Sequence, residues 1–138
     1  GTATKQLSSY QYLFDGFYQT YFMMNGDLPS VNITLYKPRI INEVTLVAHS
    51  SAIHCFALYN LRVMIGSRSN PLLCAEFPGF ERGVNCSLIK VRLTCKQRAI
   101  SSFFSVAVTK GYQDCGAAYD CPSFSGVSIF RITEVIFN

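Results

Sequence analysis

The sequence predicts an all-β protein built as an antiparallel sandwich or barrel. After Ser30, short runs in which apolar and polar residues alternate recur along the chain, and this period of two is typical of half-buried strands. Joints rich in Gly, Pro, Asn and Ser separate the runs, as turns between strands do. Six cysteines in 138 residues add the expectation of a disulfide-stapled fold.

The segment from Tyr12 to Ser30 is rich in aromatic residues and methionine, yet it does not predict a helix. Gly16, Asn25, Gly26 and Pro29 would interrupt a helix, and the aromatic residues do not keep a 3.6-residue period. We therefore predict irregular chain ahead of the first strand. Its aromatic side chains either plug the core or form a contact surface.

Three alternating runs come next. Pro38 is expected to end the first run, because proline has no N–H for a ladder, and Gly66 follows the last residue of the third. The apolar positions predicted to point one way are, run by run, Val31, Ile33 and Leu35, then Val44, Leu46 and Ala48, then Leu61, Val63 and Ile65.

The later part of the chain has the same character. Strand-like runs cover residues 88–93 and 103–109, and a last run over residues 127–137 is broken by polar side chains. Turn-rich joints lie at residues 66–71, 78–79, 111 and 122–126. No internal repeat or long amphipathic helix is visible.

The bulk composition predicts one folded domain spanning residues 1–138, with residues 1–9 as a flexible start. Apolar residues make up 49% of the chain and charged residues 14%, which is far from the signature of disorder. The net charge of +4 is scattered rather than clustered, so the sequence argues against nucleic-acid binding. The chain contains no apolar run of about 18 residues that would span a membrane.

Cysteines and sequons indicate a secreted protein or the extracellular part of a surface glycoprotein. No C-x-x-C pair occurs and His49 and His54 are the only histidines, which disfavours a zinc site. Asn32 and Asn85 each begin an N-x-[ST] sequon, the second weakened by the cysteine in its middle position. Up to three disulfides are expected among Cys55, Cys74, Cys86, Cys95, Cys115 and Cys121.

The order of short motifs adds a family resemblance. The motifs are Asp15-Gly16 with Thr20, then VNITLYKP at 31–38, INEVTL at 41–46, LYNLRVMIG at 58–66, FSVAV at 104–108 and ITEVI at 132–136. This order resembles the discoidin-like, galactose-binding-domain-like superfamily of F-type lectins and coagulation-factor C-type domains, from about Tyr10 onward. The resemblance implies an extracellular antiparallel jelly-roll β-sandwich of about eight strands, with ligands bound by loops at one end.

The resemblance also implies a structural calcium ion beside the early Asp-Gly loop. Asp15 and Glu134 match its carboxylate positions, and a hard cation needs several oxygen ligands. Alternatively, Asp15 caps a turn, and Glu134 faces solvent or pairs with an arginine. The matching candidates for carbonyl or hydroxyl ligands are Tyr12, Phe17, Thr20 and Thr133.

The loop at residues 49–57 departs from the fucose-binding lectins that the chain resembles. Those lectins use a histidine and two arginines, but this loop has His49 and His54 and no arginine, so the standard fucose motif is absent. The histidines either bind a sugar or belong to the scaffold. The families that the chain resembles commonly have a tryptophan before the first core strand, but this chain contains no Trp. Tyr18, Tyr21 and Phe22 are therefore expected either to fill the core in its place or to contact a ligand.

Disulfide pairing is predicted partly from the same resemblance. Cys74 and Cys95 match a hairpin-linking pair of the F-type lectins. Cys115 with Cys121 would close a small loop, which leaves Cys55 for Cys86.

The sequence predicts a recognition module rather than an enzyme, because no nucleophile, base and orienting group come together in a recognisable pattern. The first hypothesis is lectin-like binding of a glycan or cell-surface glycoprotein by the loops at 18–22 and 49–56. The second is an adhesion module of a cell-surface or secreted protein, viral proteins included. Such a module would contact protein or lipid without binding sugar. Its apolar anchor would be Phe17, Tyr21, Phe22, Met23 and Met24.

Overall fold

The strands that the structure describes lie in three antiparallel sheets. The computed structural model describes residues 5–6, 14, 22–26, 28, 30–49, 58–81, 88–110, 119–120, 128–132 and 134–138. In these ranges the chain forms β-strands and no helix, so they contain no helix able to cross a membrane. The strands are β1 (Lys5–Gln6), β2 (Phe22–Gly26), β3 (Ser30–His49), β4 (Leu61–Gly66), β5 (Pro71–Phe77), β6 (Phe80–Glu81), β7 (Leu88–Val108), β8 (Tyr119–Asp120), β9 (Ser128–Ile132) and β10 (Glu134–Phe137).

The largest sheet has five strands in the order β10-β3-β7-β4-β5. A second sheet has the order β1-β2-β9, and β6 pairs with β8. The chain passes from the second sheet into the first between Ile132 and Glu134, where β9 ends and β10 begins. The predicted all-β antiparallel architecture is confirmed.

The prediction that Pro38 ends the first strand is wrong, because β3 continues to His49. The register of β3 against β7 breaks after Thr34, which lies opposite Phe103, and resumes at Arg39, which lies opposite Ser101. Residues 35–38 therefore bulge out of the ladder opposite a single residue. Proline is tolerated at such a bulge, since no ladder N–H is required there.

A second bulge interrupts β7. Thr94 lies opposite Glu43 and Ala99 lies opposite Ile41, so residues 95–98 oppose only Asn42. Between the two bulges, the strands pair through three residues each, with Ile40 opposite Ile100 at the centre. The two runs predicted at residues 88–93 and 103–109 are thus parts of one long strand.

The prediction of irregular chain is wrong for Phe22–Gly26, which forms β2 and pairs with both β1 and β9. Glycine and asparagine in this segment exclude a helix, but they do not exclude a strand that has partners on both sides. The partner β9 lies about a hundred residues away, so no local pattern reveals the pairing. β1 lies within the segment expected to be a flexible start.

The core fills the inner face of the five-stranded sheet. Leu61, Val63 and Ile65 are buried, as their alternation predicts. Val31 also points inward, whereas Ile33 and Leu35 are partly buried against the core. Among the side chains whose burial the structure describes, the largest that are completely buried are Tyr59, Phe104, Ile41, Leu46, Leu58, Leu61, Ile65, Ile132 and Val31.

A disulfide joins Cys74 in the edge strand β5 to Cys95 in β7, with an S–S distance of 2.03 Å. Both half-cystines are buried, and this predicted pair is confirmed. Val63 pairs with Ala75 and Met64 with Leu73, so Cys74 is the extra residue of a β-bulge. A bulge can redirect a side chain out of the regular alternation. Cys55, Cys86, Cys115 and Cys121 lie outside the described residues.

Candidate functional site

Three of the positions singled out in the sequence meet at one end of the sandwich. Phe22, the first residue of β2, lies opposite Ile132, the last residue of β9. Glu134, the first residue of β10, lies opposite Val47, and His49 ends β3 two residues further on. The backbone thus brings the start of β2, the passage from β9 to β10 and the end of β3 together.

The side chains predicted to bind ligand lie outside the described part of the molecule. The structure describes the backbones of Phe22 and His49 in their strands, and Tyr18, Tyr21 and His54 fall outside the described residues. Their assignment to a binding site stays a prediction. The strand register shows that β2 begins, at Phe22, at the same end of the sandwich where β3 ends, at His49.

Glu134 is the one predicted calcium ligand whose side chain the structure describes. Its relative exposure is 6%, so the alternative in which it faces solvent is wrong. A carboxylate at this depth needs hydrogen bonds, a paired charge or a bound cation, so the calcium ion and the arginine partner both stay predictions. Among the described residues no group of three or more His, Cys, Asp or Glu side chains gathers. The other predicted ligands, Tyr12, Asp15, Phe17, Thr20 and Thr133, lie outside them.

An open groove of about 350 Å³ lies beside the bulge of β3, where sequence reasoning placed no site. Phe137 lies at the groove, and its ring packs edge-on against Phe104 with the ring centroids 5.0 Å apart. The available sequence signal was a proline inside an alternating run, which is typical of a bulge. The groove is lined by Phe14, Ile33, Thr34, Leu35, Tyr36, Lys37, Arg39 and Phe137.

Arg39 is held in place at this groove by Phe137. Its guanidinium carbon lies 5.6 Å from the centre of the Phe137 ring, within the range of a cation–π interaction. Its Nη2 also donates a hydrogen bond to the Phe137 carbonyl oxygen at 3.3 Å. Two contacts with one residue, to the ring and to the carbonyl oxygen of Phe137, thus orient the Arg39 guanidinium at the groove.

A second cavity, of about 140 Å³, lies where the ends of β4, β5 and β7 meet. Asn60 lines it in a left-handed conformation with φ of 48°, which asparagine tolerates better than most residues. The Asn60 carbonyl accepts hydrogen bonds from the backbone N–H and the hydroxyl of Thr109, and the Asn60 N–H donates to the Pro78 carbonyl. These bonds tie together the ends of β4, β5 and β7.

One of the two sequons can be placed. Asn32 is exposed on β3, and the hydroxyl of Thr34 in the same sequon accepts a hydrogen bond from Arg68 Nε at 3.1 Å. Asn85 lies outside the described residues. Glycosylation of either asparagine stays a prediction.

The fold is similar to that of carbohydrate-binding domains of known structure. The family 32 carbohydrate-binding module of C. perfringens NanJ, in complex with galactose, has a TM-score of 0.64 at 14% identity, covering 97% of this chain and 90% of that one. The lectin domain of lectinolysin, complexed with Lewis B antigen, has a TM-score of 0.63 at 14% identity, covering 100% and 92%. The module CpGH89CBM32-5 from Clostridium perfringens, in complex with GalNAc-β-1,3-galactose, has a TM-score of 0.60 at 12% identity, covering 97% and 92%.

These similarities establish a discoidin-like galactose-binding fold of the jelly-roll type, as the order of motifs implied. No protein-family model and no curated protein matches the sequence.

Proposed function

We propose that this domain is a non-catalytic glycan-recognition module of a secreted or cell-surface protein. The observation that supports the proposal is that three domains sharing its fold along nearly their whole length are carbohydrate-binding modules or a lectin domain, solved with galactose, Lewis B antigen or GalNAc-β-1,3-galactose. These comparisons do not favour the alternative of a protein- or membrane-contact module without sugar binding.

The proposed sugar site lies at the end of the sandwich where β2 begins and β3 ends. In this proposal the apolar face of the sugar ring packs on Tyr18, Tyr21 and Phe22. The hydroxyl groups of the sugar form hydrogen bonds with His49 and His54. Sugar sites combine an aromatic surface with a few polar groups that fix the orientation of the ring. The register of β2 and β3 supports this assignment, because both segments leave their strands at that end.

We propose a galactose-containing glycan rather than fucose as the ligand. The loop at residues 49–57 contains no arginine, whereas the fucose-binding lectins require two. Galactose or a galactose-containing disaccharide is the ligand of two of the similar domains, and histidine, which in its neutral form can both donate and accept a hydrogen bond, suits the hydroxyl groups of such a sugar.

Substituting both histidines is expected to abolish most sugar binding. The double variant His49→Ala/His54→Ala should bind a galactose-terminated oligosaccharide at least about tenfold more weakly, because each lost hydrogen bond contributes about 1 kcal/mol. Isothermal titration calorimetry, after a glycan array has identified the best oligosaccharide, measures this change.

Lys110→Ala is the matched control for the histidine variant. Lys110 is exposed just beyond the end of β7 that lies away from His49, and its loss should leave the affinity unchanged. A wild-type domain that binds no glycan on the array, with or without calcium, would contradict the proposal. Unchanged affinity in the histidine variant would contradict the assigned site.

We also propose that Glu134 belongs to a structural calcium site at this end of the sandwich. Its burial supports the proposal, together with its position next to the passage from β9 to β10. Asp15 would supply the second carboxylate, with oxygens from Tyr12, Phe17, Thr20 and Thr133. When bound, calcium would neutralise the carboxylates of Glu134 and Asp15 and link the early loop to β10.

Calcium is expected to raise the unfolding temperature of the wild-type domain but not that of the Glu134→Gln variant. A ligand that binds only the folded state stabilises it by about 2.7 kcal/mol at a hundredfold excess over Kd. Differential scanning fluorimetry with calcium or EDTA measures the shift.

Glu76→Gln, at an exposed position of β5, is the control and should respond to calcium like the wild type. Asp15→Asn provides a second test if Glu134→Gln folds poorly. An unfolding temperature of the wild type that is identical in calcium and in EDTA would count against the site.

A further inference from the structure

The groove beside the β3 bulge has the lining of a small-molecule site. Its volume of about 350 Å³ lies within the range of about 300–1,000 Å³ that ligand pockets occupy. Its surface combines the rings of Phe14, Tyr36 and Phe137 with the charged side chains of Lys37 and Arg39. Such sites place a few polar groups around an apolar, aromatic surface.

The aromatic side chains of this groove are unusually open to solvent. Tyr36 is 97% exposed and Phe14 is 43% exposed. Phe14 also packs near Phe137, with ring centroids 6.0 Å apart, so this exposed ring stands next to one that packs against the core. A ligand ring that covered Tyr36 would remove apolar surface from water, which is the main contribution of aromatic residues to binding.

The groove also carries positive charge that the described residues do not compensate. Lys37 and Arg39 are exposed, and neither forms an ion pair in the described part of the chain. The ion pair seen there joins Arg92 to Glu43 at 3.2 Å, outside the groove lining. Arg39 uses one N–H group on the Phe137 carbonyl, and its remaining N–H donors can meet an anion.

We propose that this groove is a second binding site of the domain, specific for an acidic saccharide. A carboxylate or sulfate group of the saccharide binds Lys37 and Arg39, and its sugar ring packs on Tyr36 and Phe14. The site differs from the proposed neutral-sugar site at His49. The nearest placed part of the groove, Phe137, lies opposite Val44, and at about 3.3 Å per residue the strand from Val44 to His49 is roughly 17 Å long.

A lipid surface is the competing ligand for this region. Ile40 and Ile100 are exposed opposite each other between the two bulges, and Lys96 and Arg98 are exposed in the β7 bulge. A membrane would engage these four side chains. A concave, aromatic groove with a cation fixed against Phe137 favours a single ring with an acidic substituent instead.

The test measures binding of three short probes by calorimetry: a heparin-derived tetrasaccharide, a tetrasaccharide of uronic acids and a neutral galactose oligosaccharide. At least one acidic probe should bind, and the one that binds identifies sulfate or carboxylate as the preferred group. Tyr36→Ala and Lys37→Ala/Arg39→Ala should each weaken this binding at least about tenfold. Tyr36→Ala should leave folding intact, because the side chain is 97% exposed.

Lys96→Ala/Arg98→Ala is the matched control, since it also removes two exposed cations but lies outside the groove lining. Its affinity should stay within about twofold of the wild type. Equal losses of affinity for the acidic probe in the two double-alanine variants would overturn the proposal, because they would show a non-specific attraction between the probe and exposed cations. Failure of both acidic probes to bind would overturn it as well.

Two further measurements separate this site from its rivals. The His49→Ala/His54→Ala variant should bind the acidic probe with unchanged affinity, so failure of the neutral-sugar proposal does not affect this one. Loss of acidic binding in that variant would overturn the second site. Binding to vesicles that contain phosphatidylserine, abolished by Ile100→Ser and unaffected by Tyr36→Ala, would assign the region to a membrane and would also overturn the proposal.

Discussion

Replacing Phe104 by alanine is expected to lower the free energy of unfolding by about 4 kcal/mol, because large-to-small substitutions of buried aromatic residues leave cavities. Phe104 is completely buried in β7 and lies opposite Ile33 in β3. Its ring supports Phe137 edge-on, with an interplanar angle of 72°. The substitution therefore removes packing from the five-stranded sheet and from beneath the groove. In urea unfolding, the midpoint should fall by about 2 M for a slope of about 2 kcal/mol/M.

Ile100→Ala is the control on the same strand. Ile100 is 73% exposed, so its truncation should change the free energy of unfolding by less than about 0.5 kcal/mol. Phe104→Leu retains most of the apolar volume, so its loss in free energy of unfolding should lie between those of Phe104→Ala and Ile100→Ala. Equal midpoints for Phe104→Ala and Ile100→Ala would show that Phe104 is not part of a packed core.

Removing the Cys74–Cys95 disulfide in the double alanine variant is expected to lower the free energy of unfolding by about 3 kcal/mol. The bond closes a loop with a sequence separation of 21, and in the chain-entropy model a loop of this size stabilises the folded state by about that amount. The cross-link also anchors the edge strand β5 to the long strand β7. The substitution of both cysteines avoids a single free thiol that would exchange with the other four cysteines.

Urea unfolding of the double variant and the wild type measures this loss. Peptide mapping of the wild type without reductant is the control, and it should recover Cys74 joined to Cys95. An unchanged midpoint in the double variant would contradict the expected stabilisation.

The fold class could be predicted from the sequence because its causes are local. Leu61, Val63 and Ile65 alternate with exposed or half-exposed residues, and a pleated strand with one buried face requires this pattern. Pro38 shows where local reasoning fails. A proline that lacks a ladder partner either ends a strand or sits at a bulge, and only the resumed pairing of Arg39 with Ser101 distinguishes the two.

The candidate sites likewise differ in how far the sequence alone can predict them. Glu134 could be singled out from the order of motifs, whereas its burial depends on packing that a sequence does not display. The groove at Tyr36 could not be predicted, because it depends on contacts between residues far apart in the chain. Phe137 lies 98 residues from Arg39, and only the pairing of β10 with β3 brings them together.

The outer strand β5 also bears on how the domain behaves at high concentration. An edge strand with free N–H and C=O groups invites another chain to extend the sheet and to start aggregation. Pro71 lacks one of those N–H groups, and the bulge at Cys74 interrupts the remaining row. At this edge of the five-stranded sheet, the proline and the bulge therefore disfavour pairing with a strand from a second copy.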